Sequence, residues 1–384
     1  MADSKEEDDV ELGFVEKVAN PLRLASPFFP SKVGGVPAWL DLENLPSSNG
    51  LLCKSCQKPL AFLMQVYSPF SEGVASEERC FHRTVFVFCC RNGKCYKRNS
   101  NDCFLVLRCQ LPRKNKFYSF NPPPEIDDNE NVTLESVSSE FRPRKFACLC
   151  DVCGCSGTKK CSKCKSVFYC SRDHQVFGWK TGHKTACNQL AEGKTIPKKG
   201  NTPLKPNQVL FPELEIITET EPPEEQFVEK SEEEKMKEFE SMSKSLGVDS
   251  SKDQELERLA ELGKEKFVAD KIFKNFKKRV LRCPDQVLRY QRGGEPLWVS
   301  DEYQPRLEDV PNCQCGARRQ FEFQIMPQLL NYLKVDSVEA SMDWGTIVIF
   351  TCSTSCDEGH LYHQEFAWKQ DFTDTGLPGN ALIQ

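Results

Sequence analysis

Short apolar runs dominate the first third of the chain. Between about Val10 and Phe120, β-branched and aromatic residues gather in stretches such as Ala61-Phe62-Leu63-Met64-Gln65-Val66-Tyr67 and Thr84-Val85-Phe86-Val87-Phe88, which predicts strands. A polar segment beginning Asn121-Pro122-Pro123-Pro124 and continuing with acids and serines predicts a linker over 121–147. The segment 191–251 is linker-like again. Its start is basic (Lys198, Lys199, Lys205), but from Glu213 to Glu240 it holds twelve glutamates against three lysines, a block expected to stay solvated and mostly disordered. Residues 252–282 predict an amphipathic helix, with Phe267, Phe273, Phe276 and Val280 on one side and Lys266, Lys274, Lys277, Lys278 and Arg279 on much of the rest. Such a helix is expected to dock on its own domain with its lysines in water.

The last hundred residues repeat the first. Gly34-Gly35-Val36-Pro37-Ala38-Trp39-Leu40 matches Gly293-Gly294-Glu295-Pro296-Leu297-Trp298-Val299. A cysteine pair follows each, Cys53-Lys-Ser-Cys56 and Cys313-Gln-Cys315. Then comes a strand-like run ending in proline, Phe62 to Pro69 and Phe321 to Pro327. A hydrophobic strand finally enters a second pair: Val85 to Cys90 and Cys95, against Ile347 to Cys352 and Cys356. Four landmarks in one order imply an internal duplication, with other material inserted between the halves. Each Gly-Gly-x-Pro-x-Trp segment reads as a turn into a strand with a core tryptophan; proline removes an amide that a phosphate cradle would need.

That insert is the densest chemistry in the chain. Eight metal-ligand residues occupy 38 positions: Cys150, Cys153, Cys161, Cys164, Cys170, His174, His183 and Cys187. So short a segment buries too little apolar surface to fold alone, and two tetrahedral zinc ions would supply the missing free energy. Spacing leaves a sequential and an interleaved pairing of the eight open. His183 and Cys187, at i,i+4, predict a helix with both ligands on one face. Each repeat offers four more cysteines: Cys53, Cys56, Cys90 and Cys95 in the first, Cys313, Cys315, Cys352 and Cys356 in the second. Two knuckles joined through strands suit one further zinc per repeat. Aligning Phe88 with Phe350 selects Cys90 over Cys89. In the second copy, Cys-x-Cys is tight for a knuckle, so His360 or His363 is an alternative ligand; buried thiols without metal are the alternative in both copies. The expected fold class is α+β: two β-rich zinc-ribbon-like repeat domains (1–120 and 252–384, the second led by the helix), with a finger at 148–190 and linkers at 121–147 and 191–251.

Composition narrows the setting. Hydrophobic residues make up 39% of the 384 positions, mean hydropathy is −0.52, and no apolar run approaches a membrane span. The N-terminus, acidic from Glu6 to Glu11, resembles neither a secretory nor a mitochondrial leader. Twenty-one cysteines without a leader point to zinc rather than disulfides. A formal net charge of −5 argues against general, direct binding of nucleic acid and leaves room for a basic protein client.

The insert resembles the MYND class of zinc finger. Cys161-Ser-Lys-Cys164, Phe168-Tyr169-Cys170-Ser171, Gln175, Trp179 and His183-Lys184-x2-Cys187 stand where that class has them; His174 stands where most members carry cysteine. The resemblance implies interleaving: Cys150, Cys153, Cys170 and His174 on one ion, Cys161, Cys164, His183 and Cys187 on the other. Both would be full, hence structural. It also implies a groove for proline-containing peptides, with Phe177 and Trp179 as candidates to line it; the alternative for Trp179 is the finger's own small core.

The whole layout resembles the programmed cell death protein 2 family, in its finger-containing form. The carrying residues are Val33 to Leu40, Cys53-Lys-Ser-Cys56, Tyr169 to Gln175, and Pro311-Asn312-Cys313-Gln314-Cys315-Gly316. Its C-terminal domain is similar to one shared with a yeast factor for small-subunit maturation. This implies a zinc-binding protein, not an enzyme, that escorts a small-subunit ribosomal protein (number two in eukaryotic nomenclature) during ribosome biogenesis, between cytoplasm and nucleus. The acidic block could screen a basic client. The rival reading is a transcriptional adaptor of proliferation or apoptosis whose finger recruits proline-rich corepressor peptides. A lysine methyltransferase is disfavoured because no histidine follows an asparagine.

Overall fold

The computed structural model describes residues 9–18, 20–70, 77–123, 143–193, 209–223, 271–335, 342–357 and 359–372. Ten strands close into one barrel. The first half supplies β1 (Glu11–Glu16), β2 (Lys32–Val33), β3 (Ala61–Tyr67), β4 (His82–Cys89) and β5 (Phe104–Leu111). A two-stranded sheet, β6 (Lys159–Lys160) and β7 (Phe168–Tyr169), belongs to the finger. The second half supplies β8 (Leu214–Thr220), β9 (Leu288–Tyr290), β10 (Arg319–Ile325), β11 (Thr346–Cys352) and β12 (Tyr362–Gln370).

The order round the barrel is β1-β8-β2-β3-β4-β5-β12-β11-β10-β9, all pairs antiparallel, with β9 returning to β1. The duplication is therefore visible as two matching half-barrels, β2–β5 and β9–β12, joined through β5 and β12. Both halves carry a register shift at the same place, between Phe62 and Met64 and between Phe321 and Phe323. Their leading strands are exchanged: β1, from the first half, pairs with β9 of the second, while β8 pairs with β2 of the first. The repeats are thus not two separate sheets. Closing the barrel removes every long sheet edge, which gives the exchange its physical reason.

One face of the strands fills the interior. Val87 pairs with Val106, Ile349 with Phe323 and Ile347 with Ile325, and together with Val85 they belong to a single buried cluster. Polar groups enter it in pairs. Arg83 of β4 meets Glu322 of β10, both without solvent exposure; those strands are not neighbours, so the pair crosses the interior. Arg83 Nη2 donates to Glu322 Oε2 at 2.7 Å, and Ser68 and Thr351 donate to the same carboxylate. Arg108 of β5 pairs with Glu365 of β12 at 2.7 Å, likewise fully buried. Burial disfavours ionised Glu322, but Arg83 outweighs it and holds the carboxyl down at about 2.

Two expectations change. The acidic block from Glu213 is not all linker, because its start forms β8. Alternation of Leu214 and Ile216 with Glu215 satisfies a strand, Ile216 is buried, and a count of glutamates hides that period. Glu221, just past the strand, is also held, by Arg279 and Arg289; from residue 224 on the block lies outside the described residues, as does most of the expected linker at 121–147. The predicted helix is described from Lys271 to Val280. Phe276 and Val280 pack on Leu297, Val299 and Met326, with Phe273 beside them, while Lys274, Lys277 and Lys278 are exposed. Phe267 and Lys266 lie outside the described residues. Of the two repeat tryptophans, Trp39 is fully buried and Trp298 only half-buried.

Candidate metal centres and the finger groove

Four sets of four ligand atoms converge, each set within 4.8 Å of one another. They are Cys53, Cys56, Cys90 and Cys95; Cys150, Cys153, Cys170 and His174; Cys161, Cys164, His183 and Cys187; and Cys313, Cys315, Cys352 and Cys356. The finger's eight ligands are therefore interleaved in space. Cys90, not Cys89, belongs to the first repeat's set, because Cys89 is fully buried on the opposite side of the strand end. Neither His360 nor His363 joins the second repeat's set; His363 is buried beside Arg108.

The same local backbone builds all four. The residue after the second cysteine of each leading pair takes a left-handed conformation: Gln57 (φ 57°), Gly154 (φ 71°), Lys165 (φ 54°) and Gly316 (φ 86°). Its amide donates back to the carbonyl of the first cysteine, at 2.9 Å for Gln57, 3.0 Å for Gly154, 3.0 Å for Lys165 and 2.9 Å for Gly316. That turn aims both sulfurs into one space. The Cys313-x-Cys315 pair makes the same turn one residue tighter, and Gly316 supplies the freedom this takes. The second pairs come from strand ends in the barrel and from helices in the finger. Ser171 Oγ accepts from the His174 amide at 3.1 Å and caps the helix Arg172–Gly178, which carries His174. The helix Lys184–Ala191 carries Cys187 one turn after His183.

Apart from Cys170 Sγ to His174 Nδ1, which is closer at 3.0 Å, the separations fit a tetrahedral ion. Metal–sulfur bonds near 2.3 Å and metal–nitrogen bonds near 2.0 Å require ligand atoms about 3.5–3.8 Å apart. The sulfur–sulfur spacings are 3.6 Å (Cys56–Cys90), 3.6 Å (Cys153–Cys170), 3.8 Å (Cys161–Cys187), 3.5 Å (Cys313–Cys356) and 3.6 Å (Cys315–Cys352). His174 turns Nδ1 toward Cys150 at 3.7 Å, and His183 turns Nε2 toward Cys164 at 3.6 Å. No disulfide joins the cysteines. Thiols this close oppose each other's ionisation. Hydrogen bonds from Cys153 and Cys170 hold Cys150 far below the usual thiol range, and the same contacts push Cys153 and Cys170 up. A cation is what lets all of them ionise together.

The finger is seated on the barrel. Trp39 stacks against Phe86 and Phe88, and its Nε1 donates to the carbonyl of Gly154 at 2.9 Å. A Cβ on Gly154 would lie 2.8 Å from Val36 Cβ, so the knuckle turn approaches as closely as glycine permits. Ser48 and Thr158 hydroxyls meet at 3.3 Å beside it. No motif foretold this contact; the Gly-Gly-x-Pro-x-Trp segment marked the residue but not its partner.

A groove of about 530 Å³ runs along the finger helices, lined by Phe177, Gly178, Thr181, Gly182, Ala186 and Leu190, with Leu210 closing one side. Phe177 therefore stands where a groove residue was expected. Trp179 does not line it. It is 40% exposed and meets His183 edge-on at 5.7 Å, so it is neither groove wall nor buried core. Among the described residues, no helix is long and apolar enough to cross a membrane.

Comparison with known proteins agrees with this layout. Residues 9–125 match the programmed cell death protein 2 N-terminal domain, 270–371 its putative C-terminal domain, and 150–187 the MYND finger. The chain is 46% identical to bovine programmed cell death protein 2, covering 95% of this chain and 97% of that one, and 45% identical to the rat protein over the same shares. It is 26% identical to the probable 20S rRNA accumulation protein 4 of Schizosaccharomyces pombe, covering 85% of this chain and 87% of that one. No solved structure matches. On the strength of these matches over nearly its whole length, the chain belongs to the programmed cell death protein 2 family.

Proposed function

We propose that the chain is a non-enzymatic, zinc-stabilised holder of a small-subunit ribosomal protein, acting in ribosome biogenesis between cytoplasm and nucleus. The observation that carries this is the similarity, across both half-barrels, to a yeast relative named for 20S rRNA accumulation. Four zinc ions would be held, one by each set of four ligands, the two in the barrel closing zinc-ribbon-like knuckles. Each set completes a tetrahedron from protein alone, which suits a structural ion and leaves no open position for a hydrolytic water. The client would be the ribosomal protein numbered two in eukaryotic nomenclature. A basic client suits the chain's net charge of −5.

A second reading rests on the groove beside Phe177, whose size and apolar lining suit a proline-containing corepressor peptide. The two readings differ in the partner: a basic ribosomal protein, or a proline-containing peptide. Native mass spectrometry of the full chain co-expressed with the ribosomal protein separates them, because it counts zinc and weighs the partner together. Four zincs and a one-to-one complex are expected. A chain that carries metal yet never retains the ribosomal protein would leave the peptide groove as the better account.

A further inference from the structure

The two half-barrels match, but only one wears a finger. Trp39 rests on Phe86 and Phe88 and is sealed by the Gly154 carbonyl. Trp298 occupies the matching place in the second half: the preceding residues, Ala38 and Leu297, are each held through their amides by the matching Gln65 and Gln324. Trp298 packs with Phe321, Val348 and Phe350, the counterparts of Phe62, Phe86 and Phe88. Among the described residues no second finger covers it. Its indole N–H has no hydrogen-bond partner among the described residues, and Phe366, Trp368 and Val310 are only partly buried around it. Tyr303 and Leu307, on the adjoining loop, are 57% and 84% exposed.

The rim of this face differs from its counterpart in one telling way. Val36, which meets the finger's Gly154, is replaced at the matching position by exposed Glu295. Glu295 lines a small pocket with Phe321, the residue on which Trp298 packs, and with Arg279 and Arg289, both of which are already paired with Glu221. The loop from Asp301 to Asp309 adds four acids against one arginine. Aromatic rings beside a loop with an excess of acids suit guanidinium and ammonium groups, which stack on the rings and pair with the carboxylates.

We infer that the Trp298 face is the docking surface for a basic, extended segment of the client, offering a backbone carbonyl to the Trp298 indole and lysine or arginine to Glu295 and the neighbouring acids. The first half demonstrates the mode, since its own finger presents a turn carbonyl to Trp39 in the same place. This inference rests on the reading of the chain as a holder of a basic ribosomal protein.

The test measures affinity of the full chain for that ribosomal protein in three variants. Glu295→Lys and Leu307→Asp alter exposed side chains and leave the fold intact, as an unchanged melting temperature and zinc content would verify. Phe177→Ala alters the finger groove instead. Each of the first two is expected to weaken binding by about tenfold or more, as interface anchors and their charged partners do, with Phe177→Ala neutral. Wild-type affinity in both Glu295→Lys and Leu307→Asp would overturn the inference while the holder role stood. So would a concentration-dependent dimer abolished by Leu307→Asp with client binding unchanged, which would give the face to a second copy. Absence of binding by the wild-type chain would instead remove the holder role itself.

Discussion

Gln65 and Gln324 hold the two half-barrels in the same way. Gln65 Oε1 accepts from the Ala38 amide at 2.9 Å, and Gln324 Oε1 accepts from the Leu297 amide at 2.6 Å. Each also donates to the carbonyl of the residue it clamps, Gln324 at 2.9 Å and Gln65 at 3.4 Å. Both side chains are at most 1% exposed, so neither amide has water as a substitute. Gln65→Leu or Gln324→Leu leaves a buried N–H without an acceptor, and each is expected to lower unfolding free energy by about 1–3 kcal/mol. Denaturant titration checks this; loss at one site only would show that the halves are not held alike.

The Arg83–Glu322 pair ties one half to the other through the barrel interior. Removing one partner strands a charge where no solvent reaches, so Arg83→Met is expected to cost about 3–5 kcal/mol. Combining it with Glu322→Leu removes the orphan and should restore most of that loss. A double mutant no more stable than Arg83→Met would mean that the pair's shape, rather than its charge, matters.

Adjacent cysteines give the metal sites a sharp check. Cys90 converges with Cys53, Cys56 and Cys95, whereas Cys89 is buried away from them. Burial pushes both thiols up, so position separates them: only Cys90 reaches the other three sulfurs. Cys90→Ser is expected to lower metal content from four zincs per chain to three, and Cys89→Ala to leave four. Elemental analysis of the purified variants reads this directly. Chelation should destabilise the finger most, since it has little apolar core besides.

Much of the site was legible from residue spacing, because a knuckle is a local object. Cys53 to Cys56 and Cys161 to Cys164 carry their turn within five residues, and the repeat in sequence identified which strand-end cysteine completes each barrel set. The barrel itself was not legible. Its closure depends on β1 pairing with β9 and β8 with β2, contacts across some two hundred residues or more that no local pattern encodes. Leu214 to Thr220 was masked by its glutamates, since a strand with one wet face tolerates them. Trp39 was recognisable as a core residue, but its fit under Gly154 depends on where a separate module docks. Arg83 and Glu322 are 239 residues apart, and neither carries any sign of the other.

His82 gives the fold an acid-side weakness. Its ring stacks on Phe29 at 4.1 Å, Nδ1 meets the Tyr67 hydroxyl at 3.1 Å, and Nε2 is buried without a partner among the described residues. Burial, reinforced by Arg113, holds its pKa down at about 4. An unfolded histidine titrates near 6.5, so between about 6.5 and 4 the unfolded chain binds a proton that the folded chain refuses. Stability contributed by neutral His82 is thus complete above about pH 6.5 and is lost as pH falls toward 4. Glu322 works in the same direction but lower, between the ordinary glutamate range and about 2. In His82→Leu the pH 4–6.5 slope should shrink by about one proton, while the steeper loss below pH 4 remains. Denaturant midpoints at pH 7.5, 6, 5 and 4 measure that slope, and an unaltered slope in the variant would show that His82 is already protonated in the folded chain.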